Sequence, residues 1–293
     1  TYHYWKEWAR INHKRLQGAS LPENIHALYR RSLLLVRTQV DKRGAIIASA
    51  DSDIMMFNKD SYAYMWPRDG AFISMALAKA GYAEIVREFL FFCSGLITKD
   101  GYFLKKYTPS GTMGSSWLPK IKDGTVQLPI QEDESALFLV AINKFFKHSK
   151  SVDTVQKLFN HAILPVGEFL MQYRDKETQL PKPSYGLWEE QRSTFSYTAA
   201  TVYAGLISAA KMSKITGHYS EADKFNQAAE ETKTAIIHFL YDQDQKRFLK
   251  SIKTQEGQII EKDFTVDASL GFLWKMGVLP PDDPRIIRTM HAI

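Results

Sequence analysis

Apolar residues recur at helical spacing through most of this chain, and strand-like alternation is confined to short connections. Tyr2–Gln17 places Trp5, Trp8 and Ile11 on one face, and the turn-rich run from Gly18 to Pro22 then ends it. A second helix is predicted from Pro22 to Val40, with Pro22 in its first turn and Ile25, Leu28, Leu33 and Val36 as its stripe. Asp41–Asp60 is polar and turn-rich around the apolar patch Ala45–Ala48, which predicts a loop with a short strand.

Helical patterns then follow closely. The spacing predicts them over Arg68–Ala80, Ala83–Thr98, Glu132–His148, Val152–Tyr173, Ser193–Thr216 and Glu221–Tyr241, with shorter ones at Ala268–Met276 and Pro284–Ala292. Gly81 and Gly217 stand where left-handed C-terminal caps belong. Around Tyr219–Tyr241 the pattern is two-sided, whereas Ala199–Ala210 is small or apolar throughout and suits a helix covered on every side. Gly101–Tyr107 and Arg247–Ile260, the latter turning near Glu256-Gly257, read as hairpins set between helices. This alternation of amphipathic and fully apolar helices fits an inner ring wrapped by an outer one. A superhelical array would show it too, although no repeat of fixed period is visible.

Composition adds mainly exclusions. A chain of 293 residues with 45% hydrophobic residues can bury a full core, which excludes a disordered or stapled scaffold. Its single cysteine, Cys93, excludes an internal disulfide and a cysteine-built zinc site. The eight histidines offer no pair at i,i+3 or i,i+4, so no metal site is expected. The net charge of +6 sits entirely in residues 1–43, where nine Lys/Arg face only Glu7, Glu23 and Asp41. Without a nucleic-acid signature this reads as a solvated helix face or an interdomain contact, so no nucleic-acid partner is expected. No apolar run approaches the ~18 residues of a membrane span, and the N-terminus of this sequence carries no basic-then-apolar export pattern. No membrane partner is therefore expected, and a cytoplasmic location is slightly favoured.

Chemistry concentrates in three loop segments. Tyr62, Tyr64 and Trp66 precede Arg68-Asp69, just before a helix. Asp69 could cap that helix and Arg68 could pair with it; the same set also makes a sugar cradle. Aromatic faces cover the C–H faces of a pyranose while Arg and Asp fix its hydroxyls. Gln131-Glu132-Asp133-Glu134 opens a helix with three acids, where the macrodipole alone favours them. Trp188-Glu189-Glu190 sets adjacent carboxylates beside an indole. Like charge and an apolar wall both favour a neutral carboxyl, the form a general acid needs; a surface Glu-Glu pair is the plainer reading.

Taken in order, these segments resemble glycoside hydrolase family 15, the glucoamylases and their relatives, most of all the prokaryotic branch. The carrying motifs are Trp66-Pro67-Arg68-Asp69-Gly70, Pro129 to Glu134, and Ser184 to Glu190 followed by Phe195 and Thr198–Tyr203. Arg31–Val36, Gly44–Ser49, Gly114–Trp117 and Asp267–Leu270 support them. The resemblance implies an all-α (α/α)6 barrel with short β-hairpins in its connections and an active site in the loops at one end. It further implies inverting, exo-acting hydrolysis of terminal α-glucosidic bonds without cofactor or metal. By position, Glu189 looks like the general acid. Glu190 and Trp188 look like sugar contacts, Arg68 and Asp69 like the grip on the terminal glucose, Tyr62 and Trp66 like its walls, and Trp117 like part of a flap.

Two departures accompany the likeness. The family often has Asp where this chain has Gly186. Inversion also needs a second carboxylate about 6.5–9.5 Å from the acid; in the family it lies near the last helices, beyond the counterpart of Ile293. The expectation is therefore a barrel incomplete at its C-terminus (residues 19–293), a linker helix (1–18), and a longer parent with an N-terminal β-sandwich. Such a chain would carry the acid half of the site and be inactive alone. The substrate expected is an α-glucan or α-glucoside. Trehalose or an isomaltose-type glucan is the alternative within the family, and a non-catalytic sugar-binding module the alternative outside it.

Overall fold

Pro67 supplies the fixed φ of a first helical turn directly after the extended residue Trp66, and Gly81 closes the same helix at φ 96. This local logic repeats through the computed structural model, which describes residues 2–10, 22–50, 62–114, 121–122 and 124–293. Its helices are α1 (Tyr2–Arg10), α2 (Glu23–Thr38), α3 (Pro67–Ala80), α4 (Ala83–Ser94), α5 (Glu132–Ser149), α6 (Val152–Leu158), α7 (Leu164–Gln172), α8 (Ser196–Ile215), α9 (Tyr219–Phe239), α10 (Phe272–Lys275) and α11 (Pro284–Ala292). None of them is long and apolar enough to cross a membrane.

The helices form layers. α5 lies between α3 and α8, and these three are the more fully buried; the two-sided α4 and α9 cover α3 and α8 respectively. α8 is buried on nearly every turn, as its small-residue run requires. It approaches α5 so closely that a Cβ on Gly205 would lie 3.0 Å from the Cα of Ala136. α1 docks through Trp8, whose ring stacks on Tyr82 at 4.4 Å while the Tyr82 hydroxyl donates to the Trp8 carbonyl. The linker boundary expected at residue 18 lies outside the described residues.

Strand material is short. β1 (Ile121–Lys122) pairs β2 (Thr125–Val126), and β5 (Tyr241–Asp242) pairs β6 (Arg247–Phe248). The four-stranded sheet runs β3 (Ser184–Tyr185), β4 (Arg192–Phe195), β7 (Ser251–Gln255), β8 (Gln258–Asp263), with antiparallel neighbours throughout. Glu256 and Gly257, both at positive φ, form the expected two-residue turn between β7 and β8.

Two expectations change. The single helix predicted over Val152–Tyr173 is interrupted by a π turn at Phe159–Ile163. Pro165 has no N–H to continue the ladder, and the widened turn absorbs that loss. The hairpin predicted at Gly101–Tyr107 is not a strand pair; Tyr107 instead makes isolated bridges to Met65 and Met113. Lys105 and Lys106 both turn into the protein here, which breaks strand alternation.

Candidate active site

The acids opening α5 are not a solvated helix end. Glu132 and Asp133 are 1% exposed and Glu134 is fully buried. Asp133 Oδ2 and Glu134 Oε1 lie 3.0 and 3.1 Å from Nη1 of Arg68, and the Arg68 backbone N–H donates to Glu134 Oε2. Asp69, by contrast, stands 4.0 Å from the guanidinium with its side chain 43% exposed. Arg68 is therefore held from behind by α5, and Asp69 is left facing outward.

Charge in this knot is strongly perturbed. Burial raises the Glu134 carboxyl well above its usual range, against the pull of Arg68 and with the help of Asp133. Burial would lower Arg68, yet Glu134 and Asp133 outweigh it and hold the guanidinium firmly charged. Tyr197, at the start of α8, donates its hydroxyl to Asp133 Oδ2 at 3.0 Å, so α3, α5 and α8 meet at one carboxylate. Glu132 takes no part in the knot. Burial pushes its carboxyl up to about 7, against the Ser184 hydroxyl and Arg192, which favour the charged form.

Trp188-Glu189-Glu190 occupies the tip of the β3–β4 hairpin. The Glu189 N–H donates to the Gly186 carbonyl at 3.0 Å, closing a turn that leaves Glu189 at φ 58. A non-glycine residue in the left-handed region is uncommon, and such residues gather at functional positions. The Glu189 carboxylate receives a hydrogen bond from buried Lys105, whose ammonium burial lowers from its usual range. Glu190 points elsewhere: its exposed carboxylate meets Lys250 Nζ at 3.2 Å. Trp188, 55% exposed, donates its indole N–H to Asp267 Oδ2 at 2.8 Å.

Gln131 couples the two halves. Its Oε1 accepts from Arg68 Nη1 at 3.3 Å, and its Nε2 donates to the Gly186 carbonyl at 2.6 Å. One buried amide thus links the arginine to the turn that carries Glu189. The aromatic wall adjoins the same region: the rings of Tyr62 and Tyr64 lie 5.9 and 6.2 Å from that of Trp66. Lys106 sits 4.5 Å from the Tyr64 ring and 5.1 Å from the Trp66 ring. Gly186 itself is pressed against Phe195; a Cβ there would meet the ring at 2.7 Å. An Asp at this position would collide, so a flat aromatic neighbour and the Gln131 bond hold the turn in its place.

The structure accordingly gathers Trp66, Arg68, Asp69 and Glu189 around Gln131 and the Lys105-Lys106 pair, with Trp188 and Glu190 on the rim. Trp117 lies outside the described residues. Sequence reading passed over Lys105, Lys250 and the couplings of Gln131 and Tyr197. Consecutive lysines in a presumed hairpin carry no mark of burial, and a glutamine's two partners are fixed only by the fold. Among the described residues no cluster of three His, Cys, Asp or Glu is arranged for a metal ion.

Aromatic rings beside a buried arginine and carboxylates suit the binding of a sugar, whose C–H faces stack on rings and whose hydroxyls take charge-assisted hydrogen bonds. The chain superposes on a bacterial glucoamylase complexed with acarbose with a TM-score of 0.72, at 20% identity, covering 91% of this chain and 39% of that one. The family described as "Glycosyl hydrolases family 15" matches residues 25–293, and the chain belongs to it. It is 29% identical over 298 residues to an uncharacterized glycosyl hydrolase of Methanocaldococcus jannaschii, covering 100% of this chain and 43% of that protein. It is 22% identical over 314 residues to a trehalase of Thermoplasma volcanium, covering 100% and 46%. The chain thus spans less than half the length of these curated relatives.

Proposed function

We propose that this chain carries the general-acid side of an inverting, exo-acting α-glucoside hydrolase built on an (α/α)6 barrel. The observation behind this reading is the Gln131 bridge, which ties the Arg68 knot to the turn presenting Glu189. In it, Arg68 and Asp69 hold the terminal glucose by charge-assisted hydrogen bonds, and Trp66 and Tyr62 cover its apolar faces. Glu189 in its protonated form gives its proton to the departing glycosidic oxygen and is left as the carboxylate, which buried Lys105 then receives as its ion-pair partner. Glu190 and Trp188 meet the sugar at the rim. Inversion requires a second carboxylate about 6.5–9.5 Å away to activate water; that role is assigned to no described residue.

Likeness to both a trehalase and a glucoamylase leaves the leaving group to be decided between the second glucose of trehalose and that of an α-glucan. In the protein that carries this chain, maltose, isomaltose, trehalose and soluble starch offered in parallel should yield glucose with inverted anomeric configuration from at least one. Glu189→Gln should reduce that rate by roughly 10²–10⁴-fold. Retained configuration, or a rate unchanged in Glu189→Gln, overturns the assignment.

A further inference from the structure

Adjacent carboxylates on one turn repel, and in solution both would sample the same space. Here each has its own lysine from a different part of the fold. Lys105, from the connection after α4, takes Glu189. Lys250, immediately before β7, takes Glu190 at 3.2 Å. Lys250 is anchored by its backbone, whose N–H donates to the Asp263 carbonyl and whose carbonyl accepts from the Ser196 N–H. Its ammonium also stands 3.7 Å from Asp267 Oδ2, the oxygen that receives the Trp188 indole N–H. The other Asp267 oxygen accepts from the Ser269 N–H and caps the 3-10 turn Ala268–Gly271. Gln191 adds a further bond to Asp263 Oδ2 at 2.9 Å.

We propose that Lys250 and Asp267 are positioning residues for sugar binding: together they hold Glu190 and Trp188 apart from Glu189, so that acid and sugar contacts keep separate places. The inference rests on the glycoside-hydrolase reading and adds to it two residues whose side chains stay on the sheet side of the loop. An aspartate suits position 267 because it accepts two bonds on separate oxygens. An asparagine offers one acceptor oxygen, so either the indole or the Ser269 cap must be released.

The test is calorimetric titration of the full chain with acarbose and with maltose, alongside thermal melts that confirm folding. Lys250→Met should bind about tenfold more weakly, about 1.4 kcal/mol, and Lys250→Arg should recover to within about threefold of wild type. Glu190→Gln combined with Lys250→Met should lose less affinity than the product of the two single losses, because the two changes share the Lys250–Glu190 link. Asp267→Asn should weaken binding and shift tryptophan emission to the red, a shift that vanishes in a Trp188→Phe background. Wild-type affinity in Lys250→Met, or losses that multiply in the double variant, would overturn the inference alone. Unshifted emission in Asp267→Asn would overturn the part given to Asp267. Absence of sugar binding in the wild type, or full binding in Arg68→Ala, would overturn the underlying reading and this inference with it.

Discussion

The Arg68 knot and the Trp188–Glu190 turn are two ways of fixing charged side chains. The knot is buried and made by three helices: α3 brings the arginine, α5 two carboxylates, and α8 the Tyr197 hydroxyl. The turn is a hairpin tip whose groups reach outward to Lys105, Lys250 and Asp267, each from a distant part of the sequence. In the knot each partner is irreplaceable because the rest are already desolvated. In the turn each tether is one of several, and losing one shifts a side chain rather than the fold. The part proposed to grip is thus built into the core, and the part proposed to react hangs from it by polar links.

Breaking the knot gives the largest expected effect. Arg68→Ala leaves buried Asp133 and Glu134 without their cation and should cost about 3–5 kcal/mol of stability, read as a lowered denaturant midpoint. A loss under ~1 kcal/mol would show the knot to be wetter than its burial implies.

Glu132 sharpens the contrast from inside the core. Its carboxyl rises from an ordinary 4.5 to about 7 in the folded protein. Between those values the folded state keeps a proton that the unfolded chain has released. Stability therefore falls as pH rises through that window and levels off above it. The total fall is up to ~3.5 kcal/mol, since each pKa unit is worth about 1.4 kcal/mol. Glu132→Gln should flatten this slope in urea melts at pH 4.5, 6 and 8. An unchanged slope would assign the pH dependence to other groups.

A smaller effect is expected on the turn. Gly186→Ala drives a methyl into Phe195, which must shift, at a cost of about 1–3 kcal/mol in the same melts. Its effect on acarbose affinity should be out of proportion to that cost, because the Gly186 carbonyl is also the anchor of Gln131. Unaltered affinity would mean that the turn and the knot are mechanically independent.

How much of this could be read from the residues differs between the same two regions. The helices were legible because 3.6-residue periodicity and the caps at Gly81 and Gly217 act locally, and Ala199–Ala210 announced a helix covered on all sides. The acids of α5 were legible as a helix start yet not as ligands of Arg68. The partner lies more than sixty residues away, and a macrodipole explains the same letters. The Trp188–Glu190 loop drew notice by its composition, but its tethers, Lys105, Lys250 and Asp267, are single polar residues in unrelated connections. Pro165 did carry a local signal, a missing N–H inside an apolar run, and it marks the π turn that interrupts α6–α7.

The close approach of α8 to α5 at Gly205 and Ala136 sets a dimensional tolerance for everything above it. Gln131 and the acids sit at the head of α5, and the strand leading from Glu189 runs directly into α8. These two helices are the rails on which the two sides are mounted, and a missing side chain sets their gauge. A single added carbon at position 205 would act as a shim, spreading the rails at a point remote from any sugar. The Gln131 amide, spanning from Arg68 to the Gly186 carbonyl, would be the first gauge to register the displacement.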